Sequence, residues 1–166
     1  MTFVVAFDGG KLSVAALERA SRFAAAFEEP LEVVTVVPKG NRVWARDRAL
    51  LESGDAFDLE TVVERLRDRV ADVAPDAGFR PLTVGRGASA GTIAARIKTV
   101  ASDEGASMVF VGSDNAGTLV TKLSSVAGTV AASRGYDVVI VRSPTARVST
   151  PETQRATDER GGSGDS

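Results

Sequence analysis

Small polar residues follow two apolar segments of this 166-residue chain, and their types suit phosphate binding. Asp8-Gly9-Gly10 comes directly after the first apolar segment, and residues 112–118 (Gly-Ser-Asp-Asn-Ala-Gly-Thr) follow another. Ser124 and Ser125 then stand where a helical pattern begins. A strand, a glycine-containing loop and a hydroxyl at a helix N-terminus favour an anion, because free amides and the positive end of the helix dipole point towards it. Residues 112–126 therefore predict a phosphate site.

The composition excludes several other kinds of chemistry. The chain has no Cys and no His, so it cannot form Cys or His zinc sites, Ser-His-Asp triads or thiolate nucleophiles. Its 20 Lys and Arg against 22 Asp and Glu provide no broad cationic surface for nucleic acid or anionic lipid. We therefore expect a binding protein and not an enzyme, with neither nucleic acid nor a membrane as partner.

The elements that must position these residues follow from the apolar pattern. Near-continuous apolar segments at residues 3–7, 31–37, 108–111 and 138–141 are typical of strands buried on both faces of a parallel sheet. Residues 79–84 form a weaker fifth segment, and Pro81 favours an edge position for it. Helical spacing occurs over residues 12–27, 59–73, 92–100 and 123–132. The alternation predicts an α/β fold with a doubly wound, five-stranded parallel sheet and helices on both faces.

Residues 38–57 interrupt this regular order. Their Gly, Asn and Ser content predicts a long loop with a helical turn near residues 49–51. Trp44 stands there among arginines. Two interpretations of it stay open: it packs the loop onto the domain, or it belongs to a partner surface.

The two ends of the chain carry their own expectations. Residues 143–166 lack apolar periodicity and are rich in Ser, Thr, Gly and charge, so we predict one domain over residues 1–142 and a disordered polar tail after it. The first residues have neither the cationic region of a secretory signal nor the apolar length of a membrane span. The expectation is therefore a cytoplasmic protein.

Five segments of the chain resemble the universal stress protein family in order and spacing. They are VVAFDGG, LEVVTVVP, VGRGASAGTIAARI, GASMVFVGS and SSVAGTVAASRGYDVVIVR, and the resemblance covers Thr2 to Arg142. It implies a doubly wound fold that binds ATP in one subgroup and no nucleotide in another. It also implies that Asp8 meets the ribose or adenine edge and that Val36 flanks the base through its backbone. Slow ATP turnover, with Asp8 or Asp114 holding Mg²⁺, is the enzymatic alternative.

The phosphate motif of the ATP-binding subgroup is matched only in part. That motif has a glycine after the fourth strand, a second glycine three residues on, and a Gly-Ser or Gly-Thr pair ten residues later. Gly112 and Ser113 match its start, but Asn115 replaces the second glycine. Ser124-Ser125 replaces the Gly-Ser pair with the spacing one residue short, and Gly117 offers another flexible point. The resemblance therefore assigns a weak or altered nucleotide site to Asp8, Val36, Gly112, Ser113, Asn115, Gly117, Ser124 and Ser125.

The alternative is a member of the family that has lost nucleotide binding and acts through protein contacts. Val138, Val139, Ile140 and Val141 would form an apolar strand edge at the end of the domain, and proteins usually cover such an edge. In the resembling family this strand pairs across a two-fold axis, which implies a homodimer.

Residues 85–91, Gly-Arg-Gly-Ala-Ser-Ala-Gly, are superficially similar to a dinucleotide fingerprint. The last glycine comes one residue late for G-x-G-x-x-G. This segment therefore predicts a tight turn leading into the third helix, not a nicotinamide cofactor site.

Overall fold

The computed structural model describes residues 1–114 and 135–144, and within them five parallel strands form one sheet in the order β3-β2-β1-β4-β5. The strands are β1 (Thr2–Ala6), β2 (Leu31–Pro38), β3 (Gly78–Val84), β4 (Ala106–Gly112) and β5 (Asp137–Val141). All five segments predicted as strands are confirmed. β3 is an edge strand, as its proline predicts, since Pro81 cannot donate a hydrogen bond to a neighbour.

Four helices are described: α1 (Lys11–Phe27), α2 (Arg42–Asp47), α3 (Leu59–Val73) and α4 (Ala90–Asp103). Three of them confirm the predicted helices, and α2 is additional. Among the described residues, no helix combines the length and apolar character needed to cross a membrane. The helix predicted at residues 123–132 lies outside the described residues, and so does the predicted tail from residue 145 onward.

The core consists of two layers, one on each face of the sheet. Alternate residues of β1 enter opposite layers: Phe3 and Val5 face α1 and α3, whereas Val4 faces α4. The three side chains are 0 to 5% exposed, so the strand is buried on both faces. This explains why the strands read as continuous apolar runs and not as alternating ones.

The predicted helical turn near residues 49–51 is wrong, because the helical segment of this loop is α2, which comes earlier. The side-chain oxygen of Asn41 accepts a hydrogen bond from the Trp44 N–H at 3.0 Å and caps the helix start. Ala49 has a left-handed φ of 54°, which is incompatible with continuing the helix. Trp44 is half-buried and packs against the α1 and α3 side of the core, which agrees with the first of its two interpretations.

Candidate functional site

A cavity of about 180 Å³ opens at the carboxyl ends of β1 and β2, between the sheet and α4. This is the edge where ligands bind in open parallel sheets, near the point where the strand order reverses. Most of its described lining is apolar. The apolar side comprises Ala6, Phe7, Val34, Val36, Trp44, Ala90, Ile93, Ala94 and Ile97, and the charged side chains are Asp8, Arg48 and Asp114.

Asp8 lies just after the carboxyl end of β1, and its two carboxylate oxygens accept different hydrogen bonds. Oδ1 accepts a hydrogen bond from the Gly10 N–H at 2.8 Å, which closes a tight turn before α1. Oδ2 accepts one from Nη2 of Arg48 at 3.1 Å. Gly9 within this turn has a φ of 83°, a conformation that favours glycine. Asp8 therefore shapes its own turn and also presents charge to the cavity.

Val36 presents its backbone to the same cavity. The Val34 carbonyl accepts a hydrogen bond from the Phe7 N–H at 2.9 Å, so Val34 directs its backbone towards β1. Backbone groups alternate sides along a strand, so the backbone of Val36, two residues after Val34, also faces towards β1. The last pair between β1 and β2 is Ala6 with Val34, so Val36 lies beyond the paired part of β1. Its N–H and C=O therefore face the space beyond the end of β1. This position suits recognition of a planar heterocycle edge.

Arg48 and Trp44 form a wall of the cavity that sequence reasoning did not assign. Nη1 of Arg48 donates a hydrogen bond to the Trp44 carbonyl at 3.1 Å, and its guanidinium lies 4.7 Å from the centre of the indole ring. A cation over an indole face is a favourable arrangement. The cluster of arginines around the single Trp was the available signal, but the sequence could not indicate that this segment folds back onto Asp8.

Arg69 of α3 holds the segment after α2 in place. Its guanidinium donates hydrogen bonds to the carbonyls of Arg48 at 2.7 Å and Ala49 at 2.8 Å, with a longer contact of 3.4 Å to Gly9. Arg65 on the preceding turn of α3 donates to the Leu50 carbonyl at 2.7 Å. Partial burial, followed by the charge of Arg65, lowers the pKa of the Arg69 guanidinium. Arg69 thus fixes both the Asp8 turn and the position of Arg48.

The opposite wall is the first two turns of α4. The Ser89 hydroxyl accepts a hydrogen bond from the Thr92 N–H at 3.2 Å and caps the helix. Ala88 N–H bonds to the Gly85 carbonyl at 3.0 Å, so residues 85–89 form the tight turn that the sequence predicts. The Asn41 side chain also donates to the Arg86 carbonyl at 3.2 Å. This bond links the start of α2 to the turn that precedes α4.

The predicted residues at the end of β4 differ in whether they line the cavity. Asp114 lines the cavity, whereas Ser113 is half-buried and is not among the lining residues. Gly112 packs so closely that a Cβ there would lie 2.9 Å from Leu12 Cβ and 2.8 Å from Asp114 Oδ1. The remaining predicted residues, Asn115, Gly117, Ser124 and Ser125, lie outside the described residues. The structure therefore brings Asp8, Val36 and Asp114 together, and it gives Gly112 a packing role.

The oxygen ligands among the described residues do not by themselves fit a magnesium site. Within residues 1–114 and 135–144, no group of three Asp, Glu, His or Cys could hold a metal ion. Asp8 accepts hydrogen bonds from Gly10 and Arg48, which is the behaviour of a turn and ion-pair residue. No chemical step is therefore assigned to Mg²⁺.

Comparison with known proteins supports the family resemblance. The model of the universal stress protein family matches residues 1–142. A crystal structure of a universal stress protein in complex with cAMP is 26% identical; the match covers 86% of this chain and 97% of that one, with a TM-score of 0.50. A protein of the same family from Burkholderia pseudomallei is 19% identical over 86% and 96% of the two chains, with a TM-score of 0.49.

A hypothetical protein whose biochemical function was assigned from its structure is 16% identical over 87% and 97% of the two chains, with a TM-score of 0.50. Comparison with curated proteins finds no match. The family model spans nearly the whole described domain, and the sheet order and parallel pairing agree with the doubly wound fold that the resemblance implies. The chain belongs to the universal stress protein family.

Proposed function

We propose that this protein is a cytoplasmic, adenine-nucleotide-binding stress-response module, and that the base enters the cavity between β1, β2 and α4. The observation that carries the proposal is the combination, in one cavity, of an apolar lining, the Val36 backbone and the Asp8 carboxylate. Apolar walls with a few convergent polar groups are the usual composition of a small-molecule site. The proposed role is binding and not catalysis.

The size of the cavity supports a ring as the buried part of the ligand. At about 180 Å³ it lies below the ~300–1,000 Å³ of pockets that enclose a drug-sized ligand. It exceeds the ~150 Å³ of a cavity known to hold benzene. A purine base fits such a volume, and the sugar and phosphates of a nucleotide would then extend from the mouth, where Asp8 and Asp114 lie.

A structural relative supports the class of ligand. The universal stress protein that is 26% identical was solved with cAMP, an adenine nucleotide. ATP is the ligand of one subgroup of the family that the sequence resembles. The replacement of motif glycines by Asn115 and Ser124 favours weak or altered binding of the phosphates, because side chains stand where backbone would approach them.

The first experiment is mass spectrometry of the small molecules released from the purified native protein. We expect an adenine nucleotide in a defined ratio to the chain. Release of no nucleotide, together with no saturable heat when ATP is titrated in, would contradict the proposal.

The second experiment tests the predicted phosphate residues. Losing one hydrogen bond to a charged oxygen costs roughly 1.5–3 kcal/mol, so Ser125→Ala should weaken ATP binding by about tenfold to a hundredfold. The double change Asn115→Gly with Ser124→Gly should tighten it. If neither variant changes the calorimetric affinity for ATP, residues 112–126 do not bind phosphate.

A second candidate function is a homodimeric interaction module that binds no nucleotide. It is favoured by the difference between the two edges of the sheet. The β3 edge carries Pro81, which discourages pairing with another strand, whereas the β5 edge, with Val138, Val139, Ile140 and Val141, carries no proline. We propose that the β5 edge pairs with a second copy of the chain, whether or not nucleotide binds.

A further inference from the structure

We propose that Arg48 is the specificity-determining residue of this pocket and makes it select a nucleoside phosphate over the uncharged nucleoside. The inference rests on the proposed function, because it presumes that an adenine-containing ligand enters the cavity. It adds a recognition role for the segment between β2 and α3.

The described lining of the cavity contains charges of both signs. Asp8 and Asp114 are the carboxylates among its described lining residues, and Arg48 is the one cation of that lining. Without Arg48 the described lining would carry two negative charges, which would repel a phosphate. With Arg48 the cavity has a local cationic point beside Asp8, 3.1 Å from its Oδ2.

The guanidinium of Arg48 has more N–H donors than its partners in the described structure use. An Arg side chain has five N–H donors in a rigid fork that matches phosphate oxygens. Here Nη1 donates to the Trp44 carbonyl and Nη2 to Asp8. Nε is buried and has no hydrogen-bond partner within the part of the chain that the structure describes. A buried unpaired N–H is unfavourable, so the protein groups around this guanidinium do not use its full hydrogen-bonding capacity.

Contacts within the protein fix the position of Arg48 before any ligand binds. Its guanidinium lies against the Trp44 ring, and its backbone carbonyl accepts a hydrogen bond from Arg69 at 2.7 Å. Its side chain is 23% exposed and lines the cavity, so part of it is open to solvent while most of its surface is packed. A preorganised group loses little conformational freedom when a ligand binds.

These features predict an exchange of partners. A phosphate oxygen would compete with Asp8 Oδ2 for Arg48, and the released carboxylate oxygen could accept from a ligand hydroxyl. An uncharged nucleoside must use Asp8 while its ion pair with Arg48 persists, or break that pair without replacing it. The pocket should therefore favour the anion.

The experiment compares AMP with adenosine by calorimetric titration into the full chain and three variants. Arg48→Gln removes the charge, and Arg48→Lys keeps the charge without the fork. Arg46→Gln is the matched control, because Arg46 is an exposed arginine of α2, two residues before Arg48, and is outside the cavity lining. Thermal melting of each variant verifies that it is folded.

We expect Arg48→Gln to weaken AMP binding by about tenfold to a hundredfold and to leave adenosine binding unchanged or tighter. Arg48→Lys should keep part of the preference for AMP, and Arg46→Gln should keep all of it. An equal loss for both ligands in Arg48→Gln, or no loss for either, would overturn the role of Arg48 while leaving the proposed function intact. Binding of neither ligand to the unaltered chain would overturn both.

Discussion

Asp8 joins two structural tasks in one side chain, and a pair of substitutions can separate them. Asn keeps an oxygen that can accept from the Gly10 N–H but removes the charge that pairs with Arg48. Ala removes both. Asp8→Asn should therefore cost at most about 1 kcal/mol of unfolding free energy, and Asp8→Ala about 1–2 kcal/mol more. Denaturant unfolding measures both values; equal losses would show that the turn hydrogen bond contributes nothing.

Gly112 shows how one residue can serve packing at a place where a ligand motif is expected. An added Cβ would lie 2.9 Å from Leu12 Cβ and 3.1 Å from the Leu12 backbone carbon. Neither atom can move without shifting α1. Gly112→Ala should therefore lower the unfolding free energy by about 1–3 kcal/mol, even without ligand. Gly85→Ala is the control, because a Cβ at Gly85 meets no atom within 4 Å. Equal stability of the two variants would contradict the packing role.

Helix α3 holds the candidate site in shape through Arg69. The three carbonyls that Arg69 contacts belong to the Asp8 turn and to the segment that carries Arg48. Arg69→Met keeps most of the aliphatic stem but removes these donors. We expect a loss of about 1–3 kcal/mol in unfolding free energy and faster hydrogen exchange at residues 48–50. Arg67→Met, on the same helix, is the control. Unchanged exchange at residues 48–50 would show that Arg69 does not hold this segment.

The regular elements were predictable from the sequence because each has its own periodic signal. The strands are buried on both faces and read as continuous apolar runs, and the helices show apolar spacing of three and four residues. The prediction missed α2, since six residues carry too little periodicity to be distinguished from a loop. The side-chain cap at its start is one hydrogen bond, from the Trp44 N–H to the Asn41 side-chain oxygen.

The candidate site was predictable from the fold class only in part. Asp8 directly follows the apolar segment of β1, so the fold class places it near a ligand edge, whereas Val36 was named only through the family resemblance. The Arg48 wall could not be predicted in this way. Its contact with Asp8 joins residues 40 positions apart and depends on the bonds from Arg69, which no local pattern reveals.

In the proposed homodimer, the β5 edge of the sheet pairs with a second copy of the chain. Ile140 is half-buried at this edge of the sheet, and Lys there would place a charge beside a strand of the second copy. Ile140→Lys should therefore convert dimers to monomers in sedimentation velocity. Leu82→Lys is the matched control, because Leu82 is half-buried on the edge strand β3 and packs on the same face of the sheet. A dimer that survives Ile140→Lys, or one lost equally in Leu82→Lys, would exclude the β5 interface.

If an adenine nucleotide occupies the cavity between the sheet and α4, a side chain that fills this cavity should block its binding. Ala90 is exposed at the mouth and lines the cavity, whereas Ala95 is exposed on the same helix and does not line it. Both can become Phe with a change in stability of about 0.5 kcal/mol or less. The measurement is the calorimetric affinity for ATP of the unaltered chain, Ala90→Phe and Ala95→Phe. We expect saturable binding that Ala90→Phe weakens by at least about tenfold, a loss of about 1.4 kcal/mol, while Ala95→Phe leaves it unchanged. Equal affinity of the two Phe variants, or no binding to the unaltered chain, would contradict this expectation.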